Sequence, residues 1–219
     1  MNIILGLISI ILTFSTVVLL EKIFKKEGLL IWISIATILA NIIVCKTINI
    51  FGITSSLGNI MFASNFLATD ILTEKYGADY AKKAINCALI STIIFIVTTQ
   101  ISLLFIPDVT DVAHDAMKTL FSLNLRTSIA SLALFYLSNK FDIYLYDKLR
   151  NKYPNKLWFR NNTATIISNC CENYLFATLA FIGIFNIPTI LSIATTGSII
   201  EIVIALLDTP FLYLSNKLK

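Results

Sequence analysis

Asn161, Thr165, Ser168 and Glu172 stand at i, i+4, i+7 and i+11 in the tract from Trp158 to Gly183. A helix over that tract would present all four on one face. Arg160, Asn162 and Asn169 lie beside them in an otherwise apolar run. A carboxylate near the middle of a membrane helix costs roughly 2.5–3.5 kcal/mol to insert, so it turns toward a partner or a cavity. Hydroxyls, amides and a carboxylate together offer both donors and acceptors, which suits one wall of a binding site for a polar solute. The plainer reading gives Ser168 and Asn169 to interhelical hydrogen bonds, Asn161 and Asn162 to helix capping, and Arg160 to a membrane-edge anchor. Glu172 resists the plain reading most, because a buried carboxylate without a partner or a purpose is too costly.

Other segments carry further candidates. Asp70 and Glu74 are i, i+4 in DILTEKYG, where they could hold a cationic group or a proton. For Glu74, a helix end closed by Gly77 is the simpler account. Lys46 is the only charge between residues 29 and 69. It reads equally as an intramembrane cation facing Asp70 or Glu172 and as a lysine snorkelling to the interface. A Ser-Asn-x-x-acid pattern occurs twice, at Ser138–Asp142 and Ser168–Glu172, with a looser echo in Ser64, Asn65 and Asp70. Ser138 and Asp142 also close a polar seam that begins at Asn124, Ser128 and Ser131. Repeated elements around a central site are common in transporters. In the last apolar segment, Asp208-Thr209-Pro210 predicts a helix break.

The elements that must position these residues follow from composition. The chain has 219 residues, 57% hydrophobic and 14% charged, with mean hydropathy +0.81. Soluble domains carry about 25% charged residues, so an integral membrane protein is expected. The apolar runs are continuous and helix-length, which excludes an outer-membrane barrel with its short alternating segments. Seven runs can be marked, at 2–20, 29–45, 52–72, 84–106, 120–141, 161–184 and 188–214. The fold expected is an all-α polytopic transmembrane bundle of six or seven spans in a single domain, residues 1–219. Segment 52–72, which is rich in polar residues, reads either as a full span or as a broken or re-entrant helix. Lysines and arginines fall in alternate loops, which fits seven crossings with the N-terminus outside and the C-terminus cytoplasmic. The first run lacks the basic start and small-residue cleavage site of a signal peptide.

Four cysteines, at 45, 87, 170 and 171, sit in apolar tracts without CxxC spacing, and His114 is the single histidine. Buried free thiols are expected, and no metal site or cofactor. No phosphate-binding GxxxxGK[ST] loop, HExxH or GxSxG is present, so neither an ATP engine nor an enzyme is expected.

Three blocks carry a family resemblance: ASNFLATDILTEKYG at 63–77, WFRNNTATIISNCCENYLFATLAF at 158–181 and ALLDTPFLYLSNKL at 205–218. With Asn41–Lys46 and Asp142–Tyr146, they resemble the queuosine precursor transporter family, also called the vitamin uptake transporter family. The resemblance implies a multi-pass importer of 7-deazaguanine compounds (preQ0, preQ1 or queuine) in the cytoplasmic membrane, serving tRNA queuosine modification. Asn169 stands where Gln is usual, Glu172 where Asp is usual, and Ala164 where Ser is frequent. The functional groups at 169 and 172 survive with altered reach.

A guanine-like edge presents N1–H and the N2 amino group side by side, two donors that one carboxylate accepts together. Glu172 is expected in that role. Asn169 or Asn162 would donate to O6, and Ser168 would fix either side chain. Asp70 would neutralise the preQ1 amine or titrate, with Lys46 balancing the acids. Asn161, Asn65 and Arg160 complete the expected site. Expected partners are the deazapurine and the lipid bilayer, not nucleic acid; a homodimer is left open. Two alternatives remain: a substrate-binding subunit of an energy-coupling-factor vitamin importer, with separate ATPase partners, and an intramembrane enzyme or structural protein.

Overall fold

A computed structural model describes residues 2–50, 53–121 and 125–217. Helix α1 covers Asn2–Ile43, α2 Gly58–Tyr76, α3 Ala78–Ser102, α4 His114–Phe121, α5 Leu125–Lys152, α6 Leu157–Phe181 and α7 Ile187–Lys217. Two short strands, β1 (Thr47–Ile50) and β2 (Ile53–Ser56), pair antiparallel from Thr47↔Ser56 to Ile50↔Ile53. The class is the expected all-α membrane bundle, with that hairpin its one pair of strands among the described residues.

The first two apolar runs become the two arms of α1. Lys25 interrupts the helix with φ 56° and ψ −137°, and the chain reverses there. Gly28 then packs against the backbone of Leu20, where any Cβ would collide with the Leu20 carbonyl. Seven long helical limbs result: the two arms, α2, α3, α5, α6 and α7. Helices α1, α3 and α7 are each long and apolar enough to cross a membrane. The other three carry the buried polar residues that lower their hydropathy.

Segment 52–72 does not form one continuous helix. Its start belongs to the hairpin, where the β-branched run TINI and ITSS suits strands better than a helix; positions 51 and 52 lie outside the described residues. An unbroken α2 of 19 residues follows, about 28 Å long and close to the hydrocarbon thickness. Gly77, with φ 90°, turns the chain from α2 into α3.

The bundle is inverted relative to a soluble protein. Ile90, Ile94, Val97, Leu175, Leu179 and Val203 are exposed, while Asn65, Asp70, Asp142, Asn161, Ser168 and Asp208 are completely or almost completely buried. Lipid supplies the apolar solvent outside, so polar side chains satisfy one another inside. The apolar core runs through Phe14, Leu29, Ile33, Leu67, Ile71 and Ile85. Ala81, Ala84 and Ala88 give α3 a small-residue face that allows close approach. Trp32 Nε1 donates to Ser64 Oγ at 3.0 Å, tying α1 to the heart of α2.

Two expectations fail. Helix α7 continues through Pro210 instead of breaking at Asp208. The ring removes one helical hydrogen bond, but Thr209 and Asp208 are held by Asn161 and Asn162 of α6. The cysteines are free but not buried: Cys45 and Cys171 are exposed and the other two are intermediate.

Candidate functional site

Helices α2, α5, α6 and α7 bring their polar residues together in three successive layers. The order along each helix fixes the layers. The first lies toward the hairpin, the third toward the end where the Lys- and Arg-rich connections gather.

The first layer is a cavity of about 670 Å³, within the range of small-molecule sites. Glu172, Asn169 and Asn173 reach it from α6, Glu201 from α7, and Phe62 and Phe66 from α2. Asn173 Nδ2 donates to Glu201 Oε2 at 2.6 Å. Asn169 is buried, with Oδ1 lacking a donor. The other cavity walls include Ser131 of α5, Phe176 of α6 and Thr196 of α7. Two carboxylates, three amides (Asn169, Asn173 and Asn59 of α2) and flat aromatic rings thus line one pocket, an arrangement able to grip a planar, polar ring.

The second layer is a group of carboxylates. Asp70, Asp142 and Asp208, from α2, α5 and α7, are each wholly buried. Asp70 Oδ2 accepts from Thr165 Oγ1 at 3.4 Å, and Asp208 Oδ1 accepts from Asn161 Nδ2 at 2.7 Å. Neither oxygen of Asp142 has a donor; the side chain lies among Asp70, Thr165 and Ser168. Ser168 gives its own hydroxyl proton to the Ala164 carbonyl.

The third layer closes the basic end. Arg160 Nη2 donates to Glu74 Oε1 at 2.6 Å, and its Nη1 donates to the carbonyls of Tyr153 and Pro154. Its guanidinium sits over the Tyr146 ring, 5.9 Å from the centroid, while Tyr146 donates to Glu74 Oε2 at 3.1 Å. Beside this network, Lys75 Nζ bridges Glu21 Oε1 and the Ser215 carbonyl, and Tyr76 donates to the same Glu21 oxygen.

The structure therefore spreads the nine expected residues over different places. Glu172 and Asn169 line the cavity. Ser168 and Asp70 lie in the carboxylate layer, and Arg160 in the closing layer. Asn161 joins Asp208, and Asn162 binds Thr209 Oγ1 at 2.8 Å and the Trp158 carbonyl. Asn65 binds Thr37 Oγ1 at 3.0 Å, between α2 and α1. Lys46 is exposed in the turn after α1, two residues beyond Val44, a cavity residue.

Asn173 escaped the sequence reading because it falls outside the i, i+4, i+7 seam. Glu201 and Asp208 are the two acids of the last apolar segment, but only packing against α6 gives them partners. The two Ser-Asn-x-x-acid stretches meet across the antiparallel α5 and α6. Ser138 donates to the Ser168 carbonyl at 3.4 Å, Ser138 faces Glu172 and Ser168 faces Asp142. Asn124, at the start of the α5 seam, lies outside the described residues.

Residues 56–215 match the family model described as "Putative vitamin uptake transporter". The chain is also 35% identical over 210 residues to the "Probable queuosine precursor transporter" of Bacillus subtilis (strain 168), covering 95% of this chain and 92% of that protein. No solved structure matches the chain.

Proposed function

The chain belongs to the vitamin uptake transporter family, and on that premise we propose that it imports 7-deazaguanine queuosine precursors across the cytoplasmic membrane as one transporter domain. The observation that carries this reading is the cavity in which Glu172, Asn169 and Glu201 stand among Phe62, Phe66 and Phe176. A deazaguanine is flat, apolar on its faces and polar around its edge. The aromatic rings suit its faces. Glu172 accepts N1–H and the N2 amino group together, and Asn169 turns its amide N–H₂ toward O6. The name of the Bacillus subtilis relative supports the same class of solute.

Charge supports the sidedness. Lys22, Lys25, Lys75, Arg150, Lys152 and Lys217 gather where the Glu74–Arg160 and Glu21–Lys75 pairs lie. By the positive-inside rule that end is cytoplasmic, with the C-terminus, and the hairpin end faces out. The cavity then meets the solute from outside while the ion pairs close the cytoplasmic side, as alternating access requires of an outward-facing state.

Uptake of labelled preQ0 and preQ1 by purified protein in liposomes tests the reading. Saturable uptake is expected, together with its loss in Glu172→Gln at unchanged protein level. Normal uptake by that variant would remove Glu172 from the site, and no saturable uptake by the wild type would remove the function.

A further inference from the structure

Between the cavity and the closed end, the carboxylate layer has far more acceptors than donors. Asp70 Oδ1, both oxygens of Asp142 and Asp208 Oδ2 are buried without a hydrogen-bond donor. Asn161 adds an independent mark. Its residue is completely buried, its Nδ2 is committed to Asp208, and its Oδ1 has no donor either. With Asp208 ionised, flipping that amide would set its oxygen against the carboxylate, so acceptors outnumber donors in either orientation. Arg160, the buried cation nearest in sequence to this layer, is engaged by Glu74 and two carbonyls.

Several carboxylates from different helices, buried beside one another with no cation between them, cannot all be ionised. Either a proton or a metal cation must sit among them. Among the described residues no group of three His, Cys, Asp or Glu side chains is placed to hold a metal ion, and a proton needs only two oxygens. The remaining ionisable neighbours are Tyr146, which faces Asp70, and beyond it the Glu74–Arg160 pair. On the cavity side stand Glu172 and Glu201. Glu21 of α1 is taken by Lys75.

We propose that Asp70, Asp142 and Asp208 form a proton-carrying site, distinct from the solute cavity, that couples solute import to proton entry. The inference rests on the importer reading. A proton arriving from the cavity side binds a carboxylate oxygen of Asp142 or Asp70 and is shared by its neighbour. It leaves to the cytoplasm once the Glu74–Arg160 layer opens, restoring the ionised carboxylate. The site spans α2, α5 and α7, so its charge state bears on how those helices pack.

The test uses the full chain in liposomes with labelled preQ0. One proton per solute gives about tenfold accumulation for each pH unit, acid outside. Asp142→Asn should retain preQ0 exchange at zero gradient and lose the gradient-driven accumulation; Asp208→Asn serves the same purpose if the first variant does not fold. Infrared pH-difference spectra should show a protonated-carboxyl C=O band in the wild type that Asp142→Asn diminishes. Accumulation indifferent to pH or driven by a sodium gradient, accumulation retained in the variant, or an unchanged band would each overturn the proton site. Absence of any preQ0 exchange by the wild type would instead overturn the importer reading, and the infrared band would still decide the site.

Discussion

Asn173 on α6 and Glu201 on α7 meet across the cavity at 2.6 Å, which holds a second carboxylate within electrostatic reach of Glu172. A pocket with two carboxylates can read two parts of one solute. If Glu172 takes the guanine-like edge, the Glu201 oxygen not held by Asn173 can face the aminomethyl cation that distinguishes preQ1 from the nitrile of preQ0. Glu201→Gln should therefore weaken preQ1 far more than preQ0. Hydrogen bonds to charged groups are worth about 1.5–3 kcal/mol, so a discrimination of roughly 10- to 100-fold is expected. Competition of each compound against labelled preQ0 uptake measures it, and equal losses would exclude Glu201 from the amine.

The same pair can be disturbed from behind. A Cβ at Gly197 would lie 2.5 Å from Asn173 Oδ1. That obstacle is the tip of a side chain, which can swing away. Gly197→Ala is expected to leave thermal stability nearly unchanged while displacing Asn173 from Glu201 and raising the KM for uptake. A large loss of thermal stability would show that Asn173 cannot move.

Gly28 presents the opposite case, because its obstacle is the Leu20 backbone. Gly28→Val should splay the two arms of α1 and cost about 1–3 kcal/mol, the usual range for overpacking. Thermal unfolding in detergent reads it directly, and a stable, active variant would contradict the close approach.

Arg160 should not tolerate lysine. Its guanidinium serves Glu74, two carbonyls and the Tyr146 face at once, and an ammonium on a flexible stem cannot reproduce that fork. Removing one partner of a buried pair costs about 3–5 kcal/mol. Arg160→Ala should approach the lower figure, since Glu74 keeps 17% side-chain exposure. A double-mutant cycle with Glu74→Gln would yield a coupling energy near zero if the pair were incidental.

Asp108 lies in the exposed connection before α4. Hydrogen bonds from the Thr110 hydroxyl and backbone N–H hold its carboxyl below the usual aspartate range. A depressed carboxyl stabilises its turn above the ordinary titration range and loses that effect as pH falls through its own. Thr110→Val should move the Asp108 titration, followed by NMR, upward toward the unperturbed value. No movement would mean that the hydroxyl contributes nothing.

Much of this was legible in the one-dimensional chain. Hydropathy marks seven helix-length apolar runs, because every backbone group in lipid must be satisfied within its own helix. The spacing of Asn161, Thr165, Ser168 and Glu172 marks the polar face of α6, because 3.6 residues per turn is a local property. The break at Lys25 falls in the charged connection between the first two runs and was legible, whereas the hairpin at 47–56 was not, since its second strand lies inside a run that hydropathy reads as one segment. What only the tertiary structure decided is the division of that polar face into levels. Glu172 meets Glu201 across a cavity, Thr165 and Asn161 meet Asp70 and Asp208, and Arg160 meets Glu74 at a separation of 86 residues. Each partner lies on a different helix, and its depth depends on how the helices slide and tilt against one another. No periodicity along one strand of sequence encodes that.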